Sequence, residues 1–327
     1  MMSPRPRPRT TIVACLLTAA ALMGTEIGAA RADASPGQTG SMPVDYSFAA
    51  GFAATYNAPT TPPPGANDFG CKPSAAHPYP VILVHGTFEN MDDNWQAASP
   101  LLASNGYCVF AFNYGGATSG SDILGTGNIA AFARQLAAFV DKVLAATGAP
   151  KVDIVGHSQG GMMPRYYIEF LNGADKVHTL VGLAPSNYGT TLGGLFTLVS
   201  TLNTVLPVNE GLSAYCASCA EQEQGSPFLA ALNATPTAPG VNYTVIESRD
   251  DEVVTPYTNA FLPAAPNVTD ITVQNQCPLD QSDHLEIGYD PVALADTLNA
   301  LDPADPVTVP CVPVLPVTGP PGPVPSF

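Results

Sequence analysis

The sequence carries little positive charge. Lysine and arginine together number 11, against 27 aspartate and glutamate residues, so the formal net charge is −16 over 327 residues. Such an excess of negative charge argues against nucleic acids and anionic membrane surfaces as partners and favours a neutral substrate. Charged residues make up only 12% of the chain and hydrophobic residues 46%. The chain can therefore bury a large core, which argues against disorder over most of its length.

Near its N-terminus the chain lacks an apolar run long enough to cross a bilayer, because residues 12–23 are too few. An arginine-rich start, residues 5–9, precedes this run, and the small-residue sequence Ala30-Arg31-Ala32 follows it. This order is typical of a secretory signal peptide. We therefore predict that residues 1–32 are removed on export and that the mature protein is secreted.

The sequence also lacks a second Cys-x-x-Cys or a His-x-x-His that could complete a metal site with Cys216 and Cys219. A small structural loop is the preferred interpretation of that pair, with a redox-active pair as the alternative. Six of the seven cysteines lie beyond the signal peptide, an even number that suits an oxidising compartment. Of their 15 possible pairings, we expect Cys71–Cys108, Cys216–Cys219 and Cys277–Cys311.

The most informative stretch is residues 151–163, where a short apolar strand, a tight turn and a helix follow one another. The turn reads Gly156-x-Ser158-x-Gly160, the pattern of a nucleophile elbow. Such a turn lifts the serine hydroxyl out of the strand, and the two glycines let strand and helix cross closely. N–H groups at the helix start then lie near the oxygen that becomes negative during acyl transfer. An ordinary glycine-rich turn is the alternative.

This stretch belongs to a regular alternation of strands and helices. Apolar strands are predicted at 80–84, 108–112, 177–183, 241–248 and 271–273, and helices at 95–104, 129–147 and from about 291. The alternation predicts an α/β fold with a mainly parallel central sheet and helices on both faces. Asp92-Asp93-Asn94 is expected to cap the first helix, and Trp95, the only tryptophan, is expected in the core.

Other segments flank or interrupt this catalytic domain, which we place at residues 77–302. A segment rich in proline and glycine, residues 33–76, forms an N-terminal arm, and residues 303–327 form a proline-rich C-terminal tail. Within the domain, residues 189–239 break the rhythm of strands and helices. The apolar, glycine-punctuated start of this segment predicts either a buried helix or a mobile lid over an acyl pocket.

The loop after the first strand, His85-Gly86-Thr87, lies where a serine hydrolase finds an oxyanion N–H. The Thr87 backbone is the expected donor, and its hydroxyl could add a second bond. His85 and His157 are expected beside the site as lining residues. A plain strand-to-loop turn is the alternative interpretation.

The acid and the base are expected late in the chain, in the order Ser, Asp, His. Asp251, just past the strand at 241–248, is the preferred acid, and Asp250 is its main rival. His284 is the only histidine that follows a candidate acid and lies on a loop, so it is the expected base.

Three strings of residues together resemble the secreted bacterial class 2 lipases of the α/β-hydrolase superfamily. They are Val84-His85-Gly86-Thr87, residues 156–167 (Gly-His-Ser-Gln-Gly-Gly-Met-Met-Pro-Arg-Tyr-Tyr) and residues 251–257 (Asp-Glu-Val-Val-Thr-Pro-Tyr). The resemblance covers about residues 70–300 and implies the α/β-hydrolase fold with a small cap or lid. It also implies an esterase or lipase that acts on acyl esters.

The resemblance assigns a role to each candidate residue. It implies Ser158 as nucleophile, Asp251 as acid and His284 as base, with oxyanion N–H groups at Thr87 and Gln159. The pairs Cys71–Cys108 and Cys277–Cys311 also resemble those of related lipases. Two-step acyl transfer of this kind needs no organic cofactor and no metal ion.

Several substrates and activities remain open at this point. Triacylglycerols or shorter esters are the expected substrates, met at a lipid–water interface by a protein that we expect to be monomeric. A cutinase or polyester depolymerase would use an identical triad, and an acyltransferase would exclude water from the same fold. A catalytically silent binding protein is the fourth alternative, and the complete Ser158, Asp251 and His284 set argues against it.

Overall fold

The computed structural model describes residues 41–55, 58, 60–115, 123–205 and 216–327. The predicted signal peptide, residues 1–32, and residues 206–215 of the expected cap lie outside the described residues. Of the helices that the structure describes, none combines the length and the apolar composition that a membrane crossing requires.

A six-stranded sheet forms the centre of the described structure. In chain order its strands are β1 (Val81–Val84), β2 (Val109–Phe112), β3 (Val152–His157), β4 (Val177–Leu183), β5 (Asn242–Glu247) and β6 (Val268–Thr272). Their spatial order is β2-β1-β3-β4-β5-β6, and every neighbouring pair in it is parallel. The predicted parallel sheet is thus confirmed.

Helices lie on both sides of this sheet, as predicted. They are α1 (Phe48–Thr55), α2 (Ala98–Ser104), α3 (Ile129–Thr147), α4 (Gln159–Phe170), α5 (Leu192–Val205), α6 (Ala217–Glu221), α7 (Pro227–Leu232), α8 (Val273–Gln276) and α9 (Pro291–Leu301), with 3₁₀ turns at Tyr257–Ala260 and Glu286–Gly288. Alternate residues of each strand face opposite cores. Helices α1, α2, α5 and α9 pack on one face, and α3, α4 and α7 pack on the other.

Helix α3 illustrates how local sequence sets these elements, and its bounds match the predicted helix at 129–147. The Asn128 side chain accepts the Ala131 N–H at 3.0 Å, which caps the first turn. Gly148 ends the helix in the left-handed conformation that glycine adopts without strain. Apolar residues at helical spacing, among them Phe132, Leu136 and Val140, are buried against the sheet.

The predicted start of α2 is wrong. The helix begins at Ala98 rather than near Trp95, and its N-terminus has no side-chain cap. The carboxylate of Asp93 instead accepts the N–H of Asn90 at 2.8 Å within a turn, and the Asn94 side chain points towards β3 and contacts His157. Trp95 is fully buried in the core, as expected.

The N-terminal and C-terminal segments pack against each other and against the domain. The Ala49 N–H donates to the Val317 carbonyl at 2.9 Å, and the ring of Tyr46 contacts that of Phe327. Val314 pairs with Asp280 in an isolated parallel bridge. The tail is therefore part of the folded body rather than a free extension.

The three expected disulfides are present, and each holds a different segment. Cys71–Cys108 joins the N-terminal arm to the start of β2, Cys277–Cys311 joins the end of α8 to the tail, and Cys216–Cys219 closes a short loop at α6. In the unfolded chain such cross-links reduce the number of accessible conformations, the more so the longer the loop.

The described part of the expected cap consists of three helices. Leu195, Leu198 and Leu202 on α5 are buried, which fits the buried-helix interpretation for that face. The far end of the segment is tied to α4 by Arg165, which donates to the Pro236 carbonyl at 3.2 Å and to the Asn233 side chain at 2.8 Å. Whether any part of the cap moves as a lid stays a prediction.

The close crossing of β3 and α4 depends on two glycines. A methyl group on Gly156 would lie 1.9 Å from the Gly160 carbonyl oxygen, and one on Gly160 would lie 2.1 Å from the Val84 carbonyl oxygen. Both contacts are with backbone, which cannot rotate out of the way. The residue type at both positions is therefore dictated by the fold.

We expect Gly160→Ala to destabilise the protein by about 3 kcal/mol, because the added methyl group overpacks a rigid backbone crossing. Gly193→Ala is the matched control, since its methyl group would meet nothing closer than 3.4 Å. Thermal unfolding followed by circular dichroism should show a lowered melting temperature for the first variant and an unchanged or slightly raised one for the second. Equal melting temperatures would contradict this account of the crossing.

Candidate active site

The structure brings Ser158, His284 and Asp251 together in one hydrogen-bonded chain. Ser158 Oγ lies 2.9 Å from His284 Nε2, and His284 Nδ1 lies 2.8 Å from Asp251 Oδ2. These residues come from the β3–α4 turn, the loop after β5 and the loop after α8. In this chain of contacts the imidazole can take a proton from the serine hydroxyl while the carboxylate holds its other nitrogen.

Ser158 itself has an unusual backbone conformation. Its φ is 54° and its ψ is −123°, a region that side-chain-bearing residues rarely adopt. The conformation is held from both sides, because Ser158 N–H donates to Leu183 O at 2.9 Å and Ser158 O accepts the Gly161 N–H at 2.9 Å. The turn thus has the strained geometry that the glycine spacing predicts.

Asp251, rather than Asp250, contacts His284. Its Oδ1 accepts the N–H groups of Val253 and Val254 at 2.7 and 2.8 Å, which leaves Oδ2 for His284. The Asp250 side chain is exposed. The local turn after β5 therefore orients one acid inwards and leaves its neighbour in solvent.

The electrostatic surroundings of His284 favour its charged form. Burial by itself lowers the pKa of this imidazole, but Asp251 opposes it by charge and by a hydrogen bond, and Glu252 and Glu89 add to the attraction. The net effect raises the pKa of His284 to about 8. A proton accepted from Ser158 would thus be held firmly.

Thr87 and Gln159 lie on either side of the elbow. Gln159 is the first residue of α4, so its N–H has no acceptor within the helix. Among the described residues, the Thr87 N–H has no acceptor either. The Gln159 side chain donates to Thr87 Oγ1 at 2.6 Å and to the Gly125 carbonyl at 2.9 Å, which locks the two residues together.

The match with known families agrees with this geometry. The sequence model described as Lipase (class 2) matches residues 78–293. The chain belongs to the class 2 lipase family.

Curated relatives match only a segment of this chain. Triacylglycerol lipases from Pseudarthrobacter phenanthrenivorans and Burkholderia plantarii are each 45% identical over 97 residues. That segment is 28% of this chain, 28% of the first relative and 25% of the second. The chain thus matches about a quarter of the length of these relatives.

Solved structures share the fold. The crystal structure of Aspergillus fumigatus lipase B superposes with a TM-score of 0.57 at 20% identity, over 73% of this chain and 55% of that one. At this identity the likeness supports the fold alone. The predicted α/β-hydrolase fold of the class 2 lipase is thereby confirmed.

His85 and His157 lie beside the site, but both rings are buried and hydrogen-bonded within the protein. They therefore do not line an open surface that a substrate could contact. His85 Nδ1 donates to the Gly86 carbonyl at 2.8 Å, and its ring stacks on Tyr114. Burial lowers the pKa of His85 to about 4, so this ring stays neutral. His157 contacts Glu89 at 3.0 Å and the main-chain oxygen of His284 at 2.8 Å.

Sequence reasoning missed three polar residues that contact the site. Glu89 lies two residues after Thr87, and no sequence pattern assigns a role to an acid at that position. Gln222, from the cap, donates to Thr87 Oγ1 at 3.0 Å and to the Ser218 carbonyl at 3.2 Å. Glu247 is the last residue of β5 and is buried. In the sequence, the clue to it is an acidic residue at the end of an otherwise apolar strand.

Glu247 is a buried acid beside Asp251. Burial first, and the charge of Asp251 second, raise the pKa of Glu247 well above its usual value. Burial and the nearby charge of Asp251 thus both favour the neutral form of Glu247. Asp251, not Glu247, is the carboxylate that contacts His284.

In the described parts of the chain, His, Cys, Asp and Glu side chains do not form a group of three or more that could hold a metal ion. Cys216 and Cys219 are joined to each other in a disulfide.

We expect His284 to titrate with a midpoint near pH 8 and Asp251→Asn to lower that midpoint, because burial then acts without the opposing charge. The measurement is an NMR titration of ¹⁵N-labelled histidines, with signals assigned through single His→Gln variants of the five histidines. A wild-type midpoint below the ordinary imidazole value of about 6.5 would show that burial outweighs the carboxylates and would contradict the expected sign.

Proposed function

We propose that the protein is a secreted serine ester hydrolase, a lipase or esterase that cleaves acyl esters through an acyl-enzyme on Ser158. The observation that carries the proposal is the unbroken contact chain from Ser158 Oγ through His284 to Asp251. The elbow geometry and membership of the class 2 lipase family support it. The triacylglycerol lipases that share the matched segment suggest acyl glycerols as the substrate class.

The reaction has two steps. His284 Nε2 takes the hydroxyl proton as Ser158 Oγ attacks the ester carbonyl, and the tetrahedral intermediate then expels the alcohol, which receives that proton. Water, deprotonated by the same nitrogen, attacks the acyl-enzyme and releases the carboxylic acid and the free serine. Asp251 keeps the Nδ1 proton in place and stabilises the imidazolium in both steps.

The oxyanion is held by backbone N–H groups of Thr87 and Gln159, with the Thr87 hydroxyl as a third donor. The hydrogen-bond partners of the Thr87 hydroxyl show that its proton is available. The side-chain amides of Gln159 and Gln222 each also donate to a main-chain carbonyl, which can only accept, so it is their NH₂ groups that face Thr87 Oγ1. Both lone pairs of that oxygen are then occupied, and its proton is free to donate elsewhere.

Export of the mature enzyme is part of the proposal. Three disulfides favour an oxidising compartment, and the sequence of residues 1–32 is typical of a signal peptide. Acyl esters at a lipid–water interface outside the cell suit an acidic protein, because neutral lipids are not repelled by its charge.

We expect Ser158→Ala and Asp251→Asn each to lower kcat for p-nitrophenyl butyrate by about 10⁴-fold or more. Asp250→Asn is the matched control and should keep wild-type kcat, because its side chain is exposed. Quenched reactions analysed by mass spectrometry should show a butyryl group on the peptide that contains Ser158. Full activity of Ser158→Ala would refute the assigned nucleophile, and loss of activity in Asp250→Asn alone would reverse the choice of acid.

Substrate profiling with the same preparation separates the alternatives. Preference for p-nitrophenyl palmitate and emulsified triglyceride over butyrate supports a lipase, and the reverse supports an esterase. Release of soluble monomers from polyester film would favour a cutinase-like enzyme. Ester products formed with added alcohol at the expense of free acid would identify an acyltransferase.

We expect Thr87→Val to lower kcat by about 10²-fold with little change in KM, because a hydroxyl that donates only to the developing oxyanion stabilises the transition state selectively. Thr87→Ser keeps the hydroxyl and should retain most of the activity. Thr87→Val also removes the oxygen that accepts an N–H from each of the Gln159 and Gln222 side chains. The melting temperatures of both variants show whether this loss destabilises the fold. If the valine and serine variants have equal kcat, the hydroxyl plays no part in catalysis.

A further inference from the structure

Glu89 is a buried carboxylate that contacts three parts of the site at once. Its Oε2 accepts the Gly86 N–H at 2.9 Å and lies 3.0 Å from His157 Nδ1, and its Oε1 lies 3.3 Å from the Asn94 side-chain nitrogen. Both Glu89 and His157 are 1% exposed. Among the described residues, the His157 ring and the Asn94 amide are the side chains that Glu89 contacts.

The hydrogen-bond partner of His157 Nε2 shows that this nitrogen carries a proton. Nε2 lies 2.8 Å from the main-chain oxygen of His284, and a carbonyl oxygen can only accept. Nε2 therefore carries a proton and donates it to His284 O. The result is a carboxylate–imidazole–carbonyl chain, Glu89 to His157 to His284, beside the Asp251–His284–Ser158 chain.

This second chain links segments that are far apart in sequence. His157 directly precedes Ser158 and lies 127 residues before His284. The base is thus held at two points, at its Nδ1 by Asp251 and at its main-chain oxygen by His157. Because proton transfer depends on the 2.9 Å separation between Ser158 Oγ and His284 Nε2, a hold on the main chain of His284 bears directly on that separation.

The position of the Glu89 carboxylate requires glycine at position 86. A methyl group on Gly86 would lie 2.3 Å from Glu89 Oε2 and 3.2 Å from Ser158 Cβ. Glu89 also binds the N–H of Gly86, the residue before Thr87. One carboxylate therefore ties the oxyanion loop, the elbow and the loop of the base together.

We propose that Glu89 and His157 are positioning residues, which hold the main chain of His284 and the oxyanion loop in register with Ser158. The inference rests on the proposed ester hydrolysis, since it assigns His284 the role of base. A purely structural pair would contribute to stability alone, whereas a positioning pair also contributes to kcat.

The test compares His157→Phe, which removes the donor, with His157→Gln, whose side-chain NH₂ can reach the same carbonyl. With a soluble ester we expect kcat to fall about 10- to 100-fold in His157→Phe at nearly constant KM. The glutamine variant should recover most of the loss. In NMR spectra of ¹⁵N-histidine samples, the His284 signals should shift or broaden in the phenylalanine variant and resemble the wild type in the glutamine variant.

His178→Phe is the matched control. His178 forms a second histidine–carboxylate pair, with Asp153 at 3.0 Å, on β4 and away from the triad. This variant should lower the melting temperature without lowering kcat. Should His157→Phe fail to fold, Glu89→Gln takes its place, because it keeps the shape and removes the charge and one acceptor, and it should lower kcat with unchanged KM.

Two outcomes would overturn the proposal. One is a folded His157→Phe or Glu89→Gln variant with wild-type kcat and wild-type His284 signals, and the other is a kcat loss in His178→Phe as large as in His157→Phe. If the wild type hydrolyses no ester, the proposed function fails instead. The NMR comparison then still tests whether His157 positions His284.

Discussion

The close contact between β3 and α4 is the constraint on which the rest of the site depends. Gly160 lies so near the carbonyl oxygens of Val84 and His85 that no side chain fits, and the chain must reverse within one residue, Ser158. That reversal presents the hydroxyl outside the strand and aligns the first N–H of α4 beside it. Thr87 and Asp251 reach the site from the loops that follow β1 and β5, at the same edge of the parallel sheet.

The shortage of positive charge shapes how buried acids are accommodated. With 11 basic residues against 27 acidic ones, the chain cannot neutralise each buried carboxyl with a lysine or arginine. Backbone N–H groups contact Asp251 and a histidine contacts Glu89 instead, while burial raises the pKa of Glu247 and so favours its neutral form. Burial also raises the pKa values of Asp280 and Asp290, and the charge of Asp280 raises that of Asp290 further.

Residues of the same type have different protonation preferences at this site because their surroundings differ. Burial favours the neutral form of Glu247, whereas Asp251 accepts two N–H groups and faces the imidazole. His85 and His284 differ in the same way, since burial keeps His85 neutral, whereas Asp251 favours the charged form of His284. In each case the local partners, rather than the residue type, decide the chemistry.

Sequence patterns were informative where the signal is local. The strands at 81–84 and 177–183 and helix α3 follow from apolar periodicity and from caps one residue away. The position of α2 could not be derived in this way. Asp93 and Asn94 have the chemistry of helix caps, but their partners, Asn90 and His157, draw them into a turn and towards β3.

By itself, the sequence indicated the α/β alternation and the elbow, and it put forward Ser158, Asp251 and His284 in that chain order as candidates, because these signals depend on short-range spacing and backbone sterics. The tertiary structure decided between the preferred acid, Asp251, and its rival, Asp250, because only Asp251 contacts His284. It also decided that Gln222 reaches Thr87 from the cap, that His157 contacts the main chain of His284 and that Glu89 contacts His157. Such contacts join residues separated by tens to more than a hundred positions. Their geometry arises only when the sheet brings the loop ends together at one edge.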